Sequence, residues 1–562
     1  MTDSPPTFKA RAEKLWWTAL LAATTLNCGF QIAWFWRFRA HNINEDGIAY
    51  VGLARHLVDG DIKAALHGYW SPLTSWIIAA ATVFGRDFTL LGRLVTIASF
   101  LFCLPLLYVL TLRLWRSRTA AALAVFSFSV ARGLVSLAVG SIVADFVLTA
   151  CVLLYFTLLL DALRQNKSAN WILLGAAHGL AFLAKAIAMP WLSIASVIAV
   201  LLRNARSPRR LAASLLLAFI LPAIVWVSWG TALRTKYGVF TSGYQLRANL
   251  MINWHRWQNR RLLGDSLAFA DTSSLYDNYM VGESWPSVQA FSLRNAGLVK
   301  MIAATEVRTV PQAVKELSIL LTPAGALAFL LMLALLIRNR RQYESETIFA
   351  GIALLGTLSL IAAYCMLVFD GRYVIPIVPV LLAIGCPLLL PVDLAPIAPR
   401  VSPWVQKAGL GLFATSVIFF SVYWASPFRA VDRDFEASCY QAAAVLRNAA
   451  PAGTLVSIGD GPYPEHGVGF EAAPYVAYLA GWRLVGGNSA LPQASDADAL
   501  ASRALSVKAD AVAVWGSPAD PAYVQIVEKI RLAPELLSAS TFADPYKGEV
   551  GTIFLFRPRN RS

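Results

Sequence analysis

The stretch that decides the fold is residues 171–202, WILLGAAHGLAFLAKAIAMPWLSIASVIAVLL, in which Lys185 is the only charged side chain. Basic residues flank it on both sides, Arg164 and Lys167 before it and Arg203 after it. In membrane proteins such basic residues mark the cytoplasmic ends of apolar segments. The stretch therefore predicts a hairpin of two membrane helices whose outer turn carries Lys185.

The composition of the whole chain agrees with a membrane protein. Of its 562 residues, 57% are hydrophobic and 14% are charged, which is too apolar for a soluble protein of ordinary domain size. The net charge of +15 does not indicate nucleic-acid binding, because the basic residues lie in short clusters between apolar runs. Five of the six cysteines lie in or beside apolar runs, which excludes a disulfide framework.

Apolar runs elsewhere in the chain predict further spans, since a span needs about 20 apolar residues. Basic clusters at alternate connections place the N-terminus in the cytoplasm and the C-terminus outside. The run 70–84 is too short to span and is predicted to be an interfacial helix. The eleven predicted spans are 15–36, 88–112, 119–133, 142–161, 171–184, 186–202, 210–230, 317–337, 347–369, 373–391 and 407–425.

The predicted outer segments divide the chain into two domains. Residues 231–316 form a long outer loop, rich in tryptophan and arginine, that suits either the headgroup level or solvent. From residue 428, helix-like and short β-like runs alternate, which is typical of a small α/β domain. The helix-like runs are 436–450, 499–510 and 521–531, and the β-like runs are 454–458, 511–515 and 552–556. We therefore expect a mainly α, polytopic membrane module over residues 1–427, with a first outer loop at 37–87. The α/β domain over 428–562 is expected on the periplasmic side of a bacterial inner membrane.

Three predicted outer turns carry charged residues. Arg132 and Asp145 lie at the turn of the 119–161 hairpin, Lys185 lies at the next, and Asp370 and Arg372 lie at the turn of 347–391. Charged groups at membrane depth are functional candidates by default. Each also has a structural alternative. Lys185 can snorkel to the interface, Arg372 can pair with Asp370, and Asp145 can interact with a helix dipole.

The first outer loop adds a polar motif directly after the first span. Residues 44–50 read NEDGIAY and contain Glu45, Asp46 and Tyr50. The loop then continues to YWSP at 69–72, where Tyr69 opens the turn into the interfacial helix. An acid pair at this position is either solvated surface or the entrance to a site.

In this order the motifs resemble those of the GT-C class of integral-membrane glycosyltransferases. The branch in question holds the protein O-mannosyltransferases and the lipid A aminoarabinose transferase. The matching elements are Asp46 with Tyr50, the 69–72 turn, Asp145 at a span start, GLAFLAKA at 179–186, and Arg372-Tyr373 with Pro376 and Pro379. The resemblance implies that Asp46 is the catalytic residue.

Two departures from the family pattern concern the first loop. The family's Asp-Glu pair is Asp46-Gly47 here, with Glu45 placed before it. The Glu-Lys-Pro-Pro element of the aminoarabinose transferase is replaced by YWSP at 69–72. Since that lysine would contact phosphate, Lys185 and Arg372 are expected to carry more of this role.

Sugar transfer from a phospholipid carrier needs a base for the acceptor hydroxyl and cations for the leaving phosphate. Asp46 is the predicted base, and Lys185 and Arg372 are predicted to neutralise the phosphate. Such a displacement inverts the anomeric carbon. Asp145 is expected to orient the acceptor or to hold Arg132, Lys185 or Arg372.

The remaining substrate-binding candidates are Glu45, Tyr50, Tyr69 and Tyr373, of which Tyr373 has core packing as its alternative. The partners are then a polyprenyl-phosphate-linked sugar donor, membrane lipid, and an envelope lipid, glycan or protein acceptor. No nucleic acid is expected.

A metal site is an open alternative. The first loop contains His41, Glu45, Asp46, His56 and His67, which is enough oxygen and nitrogen for a divalent ion. Their spacing matches no standard motif, so no metal ligand is assigned and no cofactor is predicted with certainty.

Three other functional classes are alternatives to the transferase. A secondary transporter places its polar residues near the midplane of the membrane, whereas charge collects at the outer ends here. A flippase for lipid-linked sugars also needs outer cations, but it does not need a folded tail of this kind. A non-catalytic envelope assembly protein is the third alternative, and replacement of Asp46 separates it from an enzyme. The sequence does not identify the sugar or the acceptor.

Overall fold

The computed structural model divides the chain into two compact units. The residues it describes are 8–37, 44–131, 133–257, 296–321, 323–366, 370–389, 411, 437–459, 476–477, 479–488, 494–544 and 548–557. The first unit takes its residues from 1–37, 68–246 and 294–428, and the second from 38–67, 247–293 and 429–562. The predicted first outer loop, 37–87, is therefore divided between the two units at residues 67 and 68.

Helices dominate the chain as far as residue 389. They are α1 (Phe8–Trp36), α2 (Glu45–Val58), α3 (Ile62–Ala65), α4 (Pro72–Ala81), α5 (Phe88–Trp115), α6 (Arg118–Val130), α7 (Leu134–Gly140), α8 (Asp145–Gln165), α9 (Ser168–Ala184), α10 (Ala188–Asn204), α11 (Pro208–Tyr237), α12 (Gln245–Trp257), α13 (Ala296–Leu321), α14 (Pro323–Arg338), α15 (Glu344–Cys365) and α16 (Val378–Gly385). The helices of the first unit share one large hydrophobic core, to which α8 contributes a nearly continuous buried face.

Four described helices, α5, α8, α11 and α15, are long and apolar enough to cross a membrane. The number rises to six if each of two bent pairs, α6 with α7 and α13 with α14, is one span. Shorter apolar helices accompany them at Pro72–Phe84, Ser168–Ala184, Ala188–Asn204 and Val378–Leu388. The prediction of a mainly α, polytopic protein is confirmed. The number of eleven spans stays a prediction, and the predicted span 407–425 lies almost wholly outside the described residues.

The hairpin predicted from residues 171–202 is present. α9 ends at Ala184 and α10 begins at Ala188, so Lys185 lies in the short turn between two apolar helices. The predicted 119–161 hairpin is not a closely packed helix pair: α6 and α7 differ in direction by 57°, and α8 packs on α5 and α9 instead. Arg132, which follows α6 in the sequence, is outside the described residues.

Two predicted boundaries differ from the structure. The predicted span 373–391 is a 3₁₀ turn at Gly371–Val374, a short α16, and a second 3₁₀ turn at Cys386–Leu389. Pro376 and Pro387 explain the interruptions, because proline lacks the backbone N–H that a helix interior needs, whereas Pro379 lies in the first turn of α16, where proline is tolerated. The predicted outer loop 231–316 contains the helix α12 and most of α13, whose charged residues had concealed its helical period.

The second unit contains a mixed five-stranded sheet. Its elements are α17 (Ala437–Ala449), β1 (Thr454–Ile458), β2 (Arg483–Asn488), α18 (Ala497–Ser506), β3 (Ala511–Trp515), α19 (Pro521–Arg531), β4 (Leu536–Asp544) and β5 (Gly548–Phe556). The strand order is β2-β1-β3-β5-β4. β1 pairs with β2 and β3 in parallel, whereas β5 pairs antiparallel with β3 and β4. The predicted C-terminal α/β fold is confirmed.

Alternating side chains of the strands fill two hydrophobic clusters. Leu455, Ala513 and Ile553 belong to one cluster, and Val456, Val512 and Phe554 to the other. This alternation is what the period of two along a strand requires. Ile48 of α2 belongs to the first cluster, so part of the first outer loop contributes to the core of the unit that holds the sheet.

Candidate functional site

A buried ion pair joins two of the predicted site residues. Nζ of Lys185 donates a hydrogen bond of 2.7 Å to Oδ1 of Asp145. The side chains of Lys185 and Asp145 are 11% and 2% exposed. Asp145 is the first residue of α8, where the positive end of the helix dipole also stabilises a carboxylate. Of the partners predicted for Asp145, the structure thus shows Lys185.

Two tyrosine rings lie beside the ammonium group of Lys185. Nζ is 4.5 Å from the ring centroid of Tyr373 and 5.8 Å from that of Tyr364. The two rings stack on each other, with centroids 4.2 Å apart and an interplanar angle of 17°. Aromatic faces attract cations, so the rings hold Lys185 from one side while Asp145 holds it from another. Tyr364, at the end of α15, was not predicted, because a tyrosine at the end of an apolar helix carries no distinctive sequence signal.

Arg372 extends the cluster from the adjoining 3₁₀ turn. Its Nε lies 2.9 Å from Oδ2 of Asp370, and its guanidinium carbon lies 5.5 Å from the ring centroid of Tyr373. Asp370 also accepts a hydrogen bond of 3.1 Å from the backbone N–H of Arg372, which fixes the start of the turn. The pairing that the sequence offered as an alternative reading of Arg372 is therefore formed. Its side chains are more exposed than the Lys185 pair, at 20% for Arg372 and 47% for Asp370.

The turn at residues 69–72 adjoins the Lys185 turn. The backbone N–H of Ala186 donates a hydrogen bond of 3.0 Å to the hydroxyl of Ser71, which precedes α4. The ring of Tyr69 packs edge-on against Trp70, with centroids 4.6 Å apart. The sequence elements 69–72, 145, 185 and 372–373 therefore gather in the first unit, as a single polar group at the ends of apolar helices.

Arg93 is a buried cation that sequence reasoning missed. It lies in α5, is 3% exposed, and its Nη1 donates to the carbonyl oxygens of Val139 and Gly140 at 3.1 and 2.8 Å. These carbonyls end α7, five residues before Asp145. A single arginine within an apolar run is the signal that would have found it, since ionisable residues in spans are functional candidates.

Of the predicted residues of the first loop, Glu45, Asp46 and Tyr50 belong to the second unit, whereas Tyr69 belongs to the first. Asp46 lies in the first turn of α2 and is half-buried, whereas Tyr50 is 3% exposed within the same helix. The side chain of Glu45 lies outside the described part of the chain. The structure thus describes the helix that carries the predicted base, but it does not test the catalytic role of Asp46.

The metal alternative gains no support from the described residues. Among them, no group of three or more histidine, cysteine, aspartate or glutamate side chains is arranged to hold an ion. Nδ1 of His56 lies 3.9 Å from Oδ2 of Asp61, but two side chains do not make such a group. His41 lies outside the described residues.

The part of the chain that matches a known protein family lies wholly within the first unit. Residues 69–229 match the family model described as dolichyl-phosphate-mannose-protein mannosyltransferase. This region contains the 69–72 turn, Arg93, Asp145 and Lys185. No curated protein matches the chain.

A solved structure is similar to this chain in fold over nearly its whole length. ArnT from Cupriavidus metallidurans in the apo state has a TM-score of 0.52 at 15% identity, covering 96% of this chain and 97% of that one. The structure of ArnT from Cupriavidus metallidurans bound to undecaprenyl phosphate has a TM-score of 0.49 at 13% identity, with coverage of 94% and 97%. The family match and the apo fold confirm the predicted resemblance to GT-C class membrane glycosyltransferases.

Proposed function

We propose that this protein is an inverting glycosyltransferase that moves a sugar from a polyprenyl-phosphate carrier to a cell-envelope acceptor on the outer face of the membrane. The observation that carries the proposal is the Lys185 cluster, in which a buried ammonium is held by Asp145 and two tyrosines beside Arg372. The matched family model is described by a dolichyl-phosphate sugar donor, which is a polyprenyl phosphate.

The cluster suits a phosphate leaving group. An ammonium has three N–H donors, and Asp145 accepts from it along one direction. The other donors, together with the forked guanidinium of Arg372, are suited to phosphate oxygens. Preorganised cations stabilise the negative charge that gathers on the phosphate as the sugar leaves, without reorganisation during the reaction.

Asp145 acts in this proposal as a positioning residue for Lys185. Its carboxylate fixes the rotamer of the lysine and offsets the cost of placing the ammonium in apolar surroundings, where an unpaired charge is costly. The hydrogen bond from Ala186 to Ser71 ties the same turn to α4. The phosphate subsite is therefore built on helix ends rather than on a free loop.

Asp46 is proposed as the general base that removes the proton of the acceptor hydroxyl. Glu45, Tyr50 and Tyr69 are proposed to contact the substrates, on the strength of the sequence motif that they share with the GT-C class. Attack by the activated hydroxyl on the anomeric carbon, with departure of the phosphate from the opposite face, inverts that carbon.

The test is sugar transfer by purified protein in lipid nanodiscs. A panel of radiolabelled polyprenyl-phosphate sugars is offered with envelope lipid, glycan and protein fractions, and wild type is compared with Asp46→Asn. Loss of one catalytic base is expected to lower turnover at least about a hundredfold. Asp59→Asn, an exposed acid at the end of the same helix, is the matched control and should transfer normally.

The outcomes separate the alternatives. Donor-dependent label that disappears in Asp46→Asn, with unchanged thermal stability, supports the transferase and identifies the sugar. If Asp46→Asn transfers as well as wild type, the assignment of the base is wrong. If wild type binds donors and consumes none, the chain is not a transferase, and transport of the same donors across proteoliposomes becomes the next measurement.

A further inference from the structure

Helix α13 differs from the apolar helices beside it because it bears charge along its length and lies across its successor. The axes of Gly297–Leu321 and Gly325–Arg338 differ by 92°. α14 is strongly apolar, with Arg338 as its last residue. If α14 runs along the membrane normal, α13 lies in the plane of the membrane.

The side chains of α13 divide into three faces. Leu298, Met301 and Ala313 are buried, at 5%, 0% and 0% exposure, and form the face that packs on the protein. A residue advances by about 100° around a helix, so residues one position later lie on a different side. Both of the remaining faces point away from the described part of the protein.

One outward face is apolar. Val299, Val307, Val310 and Val314 are 70%, 79%, 38% and 51% exposed, and their spacing places them along one stripe. Exposed valines in such a row are costly in water, because each leaves apolar surface hydrated.

The other outward face is basic. Lys300, Arg308 and Lys315 follow the valines by one position each, and all three are exposed. Among the described residues, no salt bridge involves any of them. An apolar stripe beside a basic stripe is the pattern of a helix lying at the boundary between acyl chains and phosphate headgroups.

We propose that α13 is an interfacial helix that binds the headgroups of anionic phospholipids. Its valine stripe enters the acyl region, and Lys300, Arg308 and Lys315 bind the lipid phosphates. Charge complementarity decides the occupant, since three exposed cations beside an apolar stripe fit an anionic lipid surface better than a second copy of the same basic face.

The inner face of α13 connects this lipid contact to the candidate site. The hydroxyl of Thr309 donates to the carbonyl oxygen of Cys365, at the end of α15, at 3.1 Å. A Cβ atom built on Gly371 would lie 3.2 Å from Oε2 of Glu316, so the Glu316 side chain packs on the backbone of the turn that carries Arg372. Lipid bound to the outward faces of α13 is therefore separated from the turn of Arg372 and Tyr373 by the width of α13.

The first test measures which outward face is in lipid. Single variants Val307→Cys and Arg308→Cys are placed in nanodiscs and treated with a membrane-impermeant maleimide and a lipid-soluble one. The native cysteines are buried, or half-buried in the case of Cys151, so wild type gives the background. The impermeant reagent is expected to label the cysteine at 308 at least about tenfold faster than that at 307, because an apolar environment disfavours the reactive thiolate.

The lipid-soluble reagent is expected to label the cysteine at 307 readily. Equal fast labelling of both positions by the impermeant reagent would show both faces in water and overturn the proposal. Protection of position 307 from both reagents would show that protein covers the valine stripe, and would overturn it as well. Protection of both positions from the impermeant reagent would make α13 part of a broken span.

The second test measures the lipid charge. Lys300→Gln/Arg308→Gln/Lys315→Gln is compared with a control of equal charge change in the sheet domain, Lys508→Gln/Lys529→Gln/Arg531→Gln, whose three residues are also exposed. Phosphatidylglycerol bound relative to phosphatidylcholine is counted by native mass spectrometry. The α13 variant should lose at least about half of the phosphatidylglycerol preference, while the control keeps it. Equal retention in both variants would refute the role of the basic stripe. Neither test depends on sugar transfer, so the proposal stands or fails separately from the proposed function.

Discussion

The two cations of the candidate site are held in opposite ways. Lys185 is nearly enclosed, with its carboxylate partner forty residues away along the chain and 2% exposed. Arg372 is paired with Asp370, two residues away and 47% exposed. Burial makes each partner of the first pair depend on the other, because removing one of them alone leaves an unpaired charge in apolar surroundings. The second pair is screened by solvent, so it contributes less to the free energy of unfolding.

The largest effect is expected from breaking the buried pair. Asp145→Ala leaves the ammonium of Lys185 without its carboxylate, and the free energy of unfolding should fall by about 3–5 kcal/mol. Sugar transfer should be lost with it. Thermal and denaturant unfolding in nanodiscs measure the first effect, and the transfer assay measures the second.

A double replacement separates fold from chemistry at this pair. Asp145→Val with Lys185→Met replaces both charged side chains with apolar ones of comparable size, and most of the lost stability should return, since apolar replacement of a whole buried pair is often close to neutral. Sugar transfer should stay absent, because the Lys185 ammonium that is proposed to bind the leaving phosphate has been removed. A double variant that transfers sugar would show that Lys185 has only a structural role.

A smaller effect is expected at Arg93. Arg93→Gln removes charged hydrogen bonds to the carbonyls of Val139 and Gly140, and stability should fall by about 2 kcal/mol. Arg113→Gln, near the other end of the same helix, is the control, because its partner Asp161 forms a more exposed pair worth less than about 1 kcal/mol. An equal loss of stability in the two variants would show that the hydrogen bonds of Arg93 stabilise the fold no more than an exposed ion pair does.

The smallest stability effect is expected at the exposed pair. A double-mutant cycle of Asp370→Asn and Arg372→Gln should give a coupling free energy below about 1 kcal/mol. Transfer, in contrast, should fall at least about tenfold in Arg372→Gln, because a hydrogen bond to a charged ligand is lost. A coupling as large as that of the buried pair would contradict the comparison between the two cations.

Sequence reasoning went furthest where one physical signal dominates. Apolar runs with basic flanks located the hairpin around Lys185, and alternating apolar positions located β1, β3 and β5. β2 and β4 were missed because they are rich in glycine, serine and alanine, which carry weak strand preferences.

The sequence predicted most residues of the candidate site, but it did not predict which of them pair. The turn positions of Asp145 and Lys185 followed from the hairpins, yet Arg132 and Arg372 were equal partners for Asp145 until helix packing brought α8 and α9 together. Tyr364 and Arg93 act through tertiary contacts alone, to the Lys185 ammonium and to the end of α7. The three faces of α13 were concealed because its charges interrupt the run that identifies a span.

The spacing of the buried pair has a consequence for biogenesis. Asp145 leaves the ribosome 40 residues ahead of Lys185. At common rates of synthesis this interval is about 2–8 s. During it, the carboxylate at the start of α8 has no ammonium and must stay hydrated at the membrane surface. Synthesis of α9 and of the turn after it supplies the Lys185 ammonium. The start of α8 therefore reaches its buried position only when the second hairpin is made. A translational pause placed between the two codons would lengthen the period in which the nascent chain is open to membrane quality control.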